Sequence, residues 1–283
     1  MSQRQRAGVA MLCPGCHKLL NREAPFCPHC GMQRPGAWWK RLLLRGWLRD
    51  ADQMVKVLIG INAAMYVISL LISPQAFHVS FDLLTALSPS NQSLVQLGAT
   101  GTIPIDHLQR WWTLLSANYL HGGILHILFN MLALRQLIPL VAALYGMNRL
   151  IVLYTLTGVA GFWVSYVAGV PLTIGASAAL CGLIGATLYY GKSRGGLFGG
   201  AIYRQIGGWA IGIFIIGLLI PGINNWGHGG GMAAGALLGF LVGYRERSNE
   251  QPWHAMLATV CLAATGLVLV WMLLSSIWPY VLG

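Results

Sequence analysis

Ile174-Gly-Ala-Ser-Ala-Ala-Leu-Cys-Gly-Leu-Ile-Gly-Ala-Thr-Leu-Tyr-Tyr-Gly191 is an apolar run long enough to cross a bilayer, with small residues at Gly175, Ala179, Gly182, Gly185 and Ala186. One hydroxyl, Ser177, stands near its first turn between two alanines. Taken alone, such a serine is an ordinary small residue of membrane helices, where it admits a close neighbour and hydrogen-bonds its own backbone. The same small neighbours would leave a nucleophile open to an approaching helix. The rest of the chain decides between these readings.

The quoted run is one of several. The chain has 283 residues, 56% of them hydrophobic and 9% charged, and its apolar stretches reach or approach the ~20 residues that cross ~30 Å of hydrocarbon. The fold class is therefore an all-α polytopic membrane protein. Expected spans are Val55–Ile72, Leu114–Leu140, Leu150–Ala168, the quoted stretch as the fourth, Ile202–Ile220, Trp226–Tyr244 and His254–Trp278. Residues 74–112 form a semi-polar loop without a full span. A cleavable signal peptide is not expected, since no apolar stretch of the required length precedes residue 54.

The net charge of +11 does not call for nucleic acid, because the basic residues are sorted by loop. Ten Lys/Arg lie in the tail through Lys56. Others mark alternate junctions: Arg135 and Arg149, then Lys192, Arg194 and Arg204, then Arg245 and Arg247. The opposite junctions hold Arg110 with Asp82 and Asp106. Basic loops stay cytoplasmic, so the N-terminus is expected inside and, after seven spans, the C-terminus outside.

Residues 1–35 read as a separate module. Cys13-Pro-Gly-Cys16 and Cys27-Pro-His-Cys30 are two Cys-x2-Cys knuckles, which together offer four thiolates to one structural zinc ion. Disulfides are disfavoured in the reducing compartment where this tail is placed. The module resembles a short zinc ribbon. Residues 36–52 follow as an amphipathic linker, with Trp38, Trp39 and Trp47 beside an Arg41, Arg45, Arg49 stripe, suited to the membrane interface.

Three places break the apolar pattern: His121, His126 and Asn130 in the second span, Ser177 in the fourth, and His228 with Gly229–Gly231 in the sixth. All three spans enter from the outside, so these groups share one outer layer, with Ser177 expected a few residues below its helix start. Polar side chains at membrane depth are costly and tend to face a protein interior or a wet cavity. Serine acyl transfer is the chemistry they permit, with His228 as base for Ser177 and the Ser177 amide, His126 and Asn130 as donors to an oxyanion. The spans carry no carboxylate, so a Ser–His dyad is expected rather than a triad. Gly175, Gly231 and His121 are expected to support it. A transporter would place its polar groups near the midplane, often with repeat symmetry, and the chain shows neither.

At this point the chain resembles the rhomboid intramembrane serine proteases over about residues 53–244. The resemblance rests on Trp111-Trp112…His121…His126…Asn130, on Gly175-Ala-Ser177, and on His228-Gly-Gly-Gly231. It implies a six-helix catalytic core at 53–244, extended at 245–283 by a cytoplasmic loop and a seventh helix. It also implies Ser177 as nucleophile, His228 as base, an oxyanion hole of His126, Asn130 and the Ser177 amide, and cleavage of transmembrane protein substrates within the lipid bilayer. A lateral gate near span five and a membrane-dipping first loop are implied too. No catalytic cofactor is expected, and a bacterial plasma membrane is the expected location. Three positions depart from the family pattern: Thr113 stands where arginine is usual, Ala178 where glycine is common, and Cys181 where an aromatic often stacks on the histidine. The alternative is a non-proteolytic rhomboid-like scaffold that binds membrane helices, with the zinc module recruiting a cytoplasmic partner.

Overall fold

A computed structural model describes residues 10–13, 18–31, 33–34, 50–72 and 87–281. Cys16, residues 36–49 of the expected interfacial linker and residues 73–86 of the first loop lie outside them. The chain divides into two compact units, Met1–Met54 and Val55–Gly283.

In the first unit, β1 (Ala10–Leu12) pairs antiparallel with β2 (Leu19–Asn21), Met11 facing Leu20. The Cys13 N–H closes the hairpin on Lys18 O at 2.9 Å. Its core is Cys13, Leu20 and Cys27, with Met11 and Ala24 against it. So few apolar side chains fall short of holding a fold, and small domains make up the deficit with disulfides or metals.

The second unit is helical. Its long helices are α1 (Ala51–Ile72, which begins in the first unit), α2 (Ile124–Tyr145), α3 (Met147–Val167), α4 (Ser177–Arg194), α5 (Gly196–Leu219), α6 (Asn225–Val242) and α7 (Pro252–Val281). Five of them, α1, α2, α3, α5 and α7, are long and apolar enough to cross a membrane. Large apolar side chains such as Phe214, Leu219, Leu267 and Trp271 stay exposed on α5 and α7, as hydrocarbon-facing surfaces require. The chain is an integral membrane protein.

α4 is less apolar than these five for a physical reason. Every residue from Ala178 to Thr187 is buried, because α4 packs against α2, α3, α5 and α6. A helix enclosed by protein needs small residues for contact more than large ones for lipid. A Cβ on Gly235 would collide with the backbone of Gly182, one on Gly185 with that of Met232, and one on Gly231 with Ala178 O.

Several helix limits differ from the sequence expectation. The second span begins at Ile124 rather than Leu114, because Thr113–Ser116 and Ala117–Tyr119 form a separate short helical piece and Leu120 turns extended. α5 begins at Gly196 instead of 202, directly after the turn at Gly195. α7 starts at Pro252, where a missing N–H costs nothing.

The end of the bundle opposite Ser177 is clamped by Arg149, fully buried at the start of α3. Its guanidinium donates to Tyr145 O, Ser248 O, Ser248 Oγ and Asn249 O, while Glu250 accepts from the Asn148 and Arg149 N–H groups. Farther along α7, Gln96 donates to Ser276 O at 2.7 Å, so the seventh helix is tied to the first loop as well.

Candidate active site

Two threonines deliver Ser177. Thr100 and Thr173 form an antiparallel bridge, with N–H to O distances of 3.1 and 2.7 Å, and the Gly175 N–H donates to Ala117 O at 2.8 Å. The chain therefore arrives at α4 extended and pinned to the first loop. Thr113 belongs to the same network: its buried hydroxyl donates to Arg110 O at 2.6 Å and lies 3.0 Å from Thr100 Oγ1. This is how the loop is held where the motif has threonine.

Ser177 is the first residue of α4 rather than a few residues in. The helix starts late because Gly175 sits at φ +123°, a backbone region that residues with a Cβ rarely enter. The first-turn N–H groups of a helix have no intrahelical acceptor, so the Ser177 amide is a donor at its own hydroxyl. On α6, Asn224 caps the helix by accepting from the Gly227 N–H at 3.0 Å, and His228 falls in the first turn. His228 Nε2 and Ser177 Oγ are 2.8 Å apart. The other ring nitrogen, Nδ1, is buried without a hydrogen-bond partner among the described residues.

His126 sits in the first turn of α2, with its Nδ1 accepting from the Gly122 N–H at 3.3 Å. A neutral imidazole so bonded carries its proton on Nε2. That nitrogen faces Gly175: a Cβ there would lie 2.7 Å from His126 Nε2 and 3.5 Å from Ser177 Oγ. Gly175 thus keeps clear a space bordered by a hydroxyl and an imidazole N–H. Three helix N-termini converge on it, and each contributes partial positive charge.

The structure brings Ser177, His228, His126 and Gly175 together and leaves two other expected residues one step back. Asn130 is buried, and its amide donates to His126 O at 2.8 Å on its own helix. His121 is fully buried with its ring edge on His126, centroids 5.0 Å apart, and neither of its nitrogens has a partner among the described residues. Gly231 serves the α4–α6 contact beneath the pair. Cys181 is buried within α4. Asn224 was missed by the sequence reading, although Asn before an apolar helix is a standard capping signal.

In the N-terminal unit, the sulfurs of Cys13, Cys27 and Cys30 lie within 4.8 Å of one another. Cys13 Sγ and Cys30 Sγ are 3.6 Å apart. Thiolates on a tetrahedral zinc at ~2.3 Å would be separated by about 3.8 Å, so the cluster fits a metal ion.

Comparison with known proteins points to one family. A model of the Rhomboid domain matches residues 108–245. The chain is 36% identical over 152 residues to the rhomboid protease GluP of Bacillus subtilis, covering 52% of this chain and 29% of that protein. It is 32% identical over 158 residues to RHOMBOID-like protein 4 of Arabidopsis thaliana, covering 55% and 40%. Against YdcA of Bacillus subtilis, provisionally named a rhomboid protease, it is 31% identical over 134 residues, covering 46% of this chain and 67% of that protein. The chain thus spans between about a third and a half of the first relatives it matches, and two thirds of YdcA.

Proposed function

The chain belongs to the rhomboid family, and from that premise we propose that it is an intramembrane serine endopeptidase hydrolysing peptide bonds in or near transmembrane segments of membrane proteins. One observation carries the reading: the 2.8 Å contact between His228 Nε2 and Ser177 Oγ across two helices.

Ser177 Oγ attacks the scissile carbonyl while His228 Nε2 takes the hydroxyl proton. The negative oxygen that forms points toward Gly175, where the Ser177 N–H and His126 Nε2–H donate to it. Asn130 stands one step behind, its amide holding His126 O and so the turn that carries this imidazole. Imidazolium then protonates the departing amine, the C–N bond breaks, and an acyl-Ser177 ester remains. Water gives a proton to His228 Nε2 as its oxygen adds to the ester carbonyl; the C–O bond to Ser177 then breaks, the acid leaves, and the imidazolium returns the proton to Ser177 Oγ.

The sorting of basic loops supports a cytoplasmic N-terminus and, with it, a site toward the outer end of the bundle; the proposed location is a bacterial plasma membrane. On this reading 1–35 is a cytoplasmic zinc module held by Cys13, Cys16, Cys27 and Cys30, and 36–52 an interfacial linker. The catalytic core is 53–244, with 245–283 carrying the seventh helix. The intact Ser177–His228 contact favours an enzyme over a helix-binding scaffold. A fluorophosphonate probe on the purified protein separates the two: labelling at Ser177, abolished in Ser177→Ala, is expected, and an unreactive Ser177 in folded protein rejects the enzyme.

A further inference from the structure

We infer that Asn224 is a positioning residue that ties the end of α6 carrying His228 to the strand delivering Ser177, a role that rests on the dyad proposed above. Asn224 lies four residues before His228, and its backbone O accepts the His228 N–H at 3.1 Å. Its Oδ1 caps Gly227. Its Nδ2 donates to two hydroxyls, Ser165 Oγ near the end of α3 and Thr173 Oγ1 at 2.9 Å. Thr173 is four residues before Ser177 and is bridged to Thr100. One side chain therefore joins α3, the strand into α4, and α6.

Capping alone does not require asparagine. Serine, threonine or aspartate supplies the acceptor equally well. A carboxamide differs in offering that acceptor together with two donor hydrogens on a second atom, and all of these are used here. The second observation is the state of His228 itself. Nδ1 is buried and has no partner among the described residues, so no carboxylate orients the ring from behind. The position of the imidazole then depends on where the backbone of α6 is held against the backbone of α4. Asn224 ties the start of α6 to α3 and to the strand leading into α4 at the level of the site, and a misplacement of about 1 Å can cost about 10²-fold in rate.

The test uses the full chain in liposomes with a single-span reporter substrate, reading kcat, KM, the rate of Ser177 labelling by a fluorophosphonate, and Tm. Asn224→Ser keeps the capping oxygen and loses both donors, while Thr173→Val leaves the cap intact and removes one acceptor. Each is expected to lower kcat and the labelling rate about tenfold, with KM and Tm close to those of the unsubstituted protein. The double variant should be no slower than the slower single one, since both substitutions break one connection. Unchanged kcat in Asn224→Ser overturns the role, as do losses that multiply in the double variant or a kcat loss that only follows a collapse in Tm. Failure of the dyad itself has a separate signature: cleavage that persists in Ser177→Ala, which takes the positioning role with it.

Discussion

Gly175 sets the narrowest tolerance in the site. Its φ of +123° and the 2.7 Å separation between its would-be Cβ and His126 Nε2 mean that a single methyl both strains the approach to α4 and fills the space assigned to the oxyanion. Loss of one oxyanion donor alone costs about 10²–10³ in kcat. Gly175→Ala should therefore lower reporter cleavage by at least about 10²-fold while the protein still folds; cleavage at the original rate would show that the oxyanion lies elsewhere. At this scale the sequence was most informative where a motif fixes both residue type and neighbours, as in Gly175-Ala-Ser177 and His228-Gly-Gly-Gly231. It picked out Asn130 as a donor but not the direction of its amide, which is turned to His126 O on its own helix. It was silent on Asn224, because its partners Ser165 and Thr173 come from distant parts of the chain and only folding makes them neighbours.

Among elements, the α4–α6 contact carries the most consequence, since it brings imidazole to hydroxyl. Its glycines are not equivalent. A Cβ at Gly235 meets the Gly182 backbone, whereas one at Gly229 meets nothing within 4 Å. Gly235→Ala should cost about 1–3 kcal/mol through overpacking and lower Tm and activity together. Gly229→Ala, on the same helix, should leave Tm unchanged or raise it slightly. Equal Tm values for the two variants would contradict the close packing. The seven long helices among the described residues were legible from apolar runs, but their starts were not. Hydropathy continued through Thr113–Tyr119, but Leu120 turns extended and α2 begins only at Ile124, which leaves that segment a separate short piece with Thr113 bonded to Arg110 and Thr100. Likewise, α4 reads as an ordinary span in sequence, yet its small residues answer to protein neighbours rather than to lipid.

For the molecule as a whole, two units of different chemistry share one chain. The N-terminal unit has a core of a few side chains around three clustered sulfurs, so its stability should depend on metal. Elemental analysis of the purified full chain should find about one zinc per chain, lost in Cys13→Ser and Cys27→Ser; metal-free protein with the hairpin intact would reject the ribbon. The membrane unit was legible as a helical membrane fold of one family, because hydropathy and motif order need no coordinates. The geometry that makes it a site was not, since it depends on close contacts among α3, α4 and α6 and on the Thr100–Thr173 bridge. The central claim, that Ser177 and His228 together cut peptide bonds within a membrane, is tested most directly by reconstituting the full chain in liposomes with a single-span reporter and measuring cleavage. Cleavage by the unsubstituted protein that disappears in both Ser177→Ala and His228→Ala is the predicted result, and cleavage that continues in either variant would contradict it.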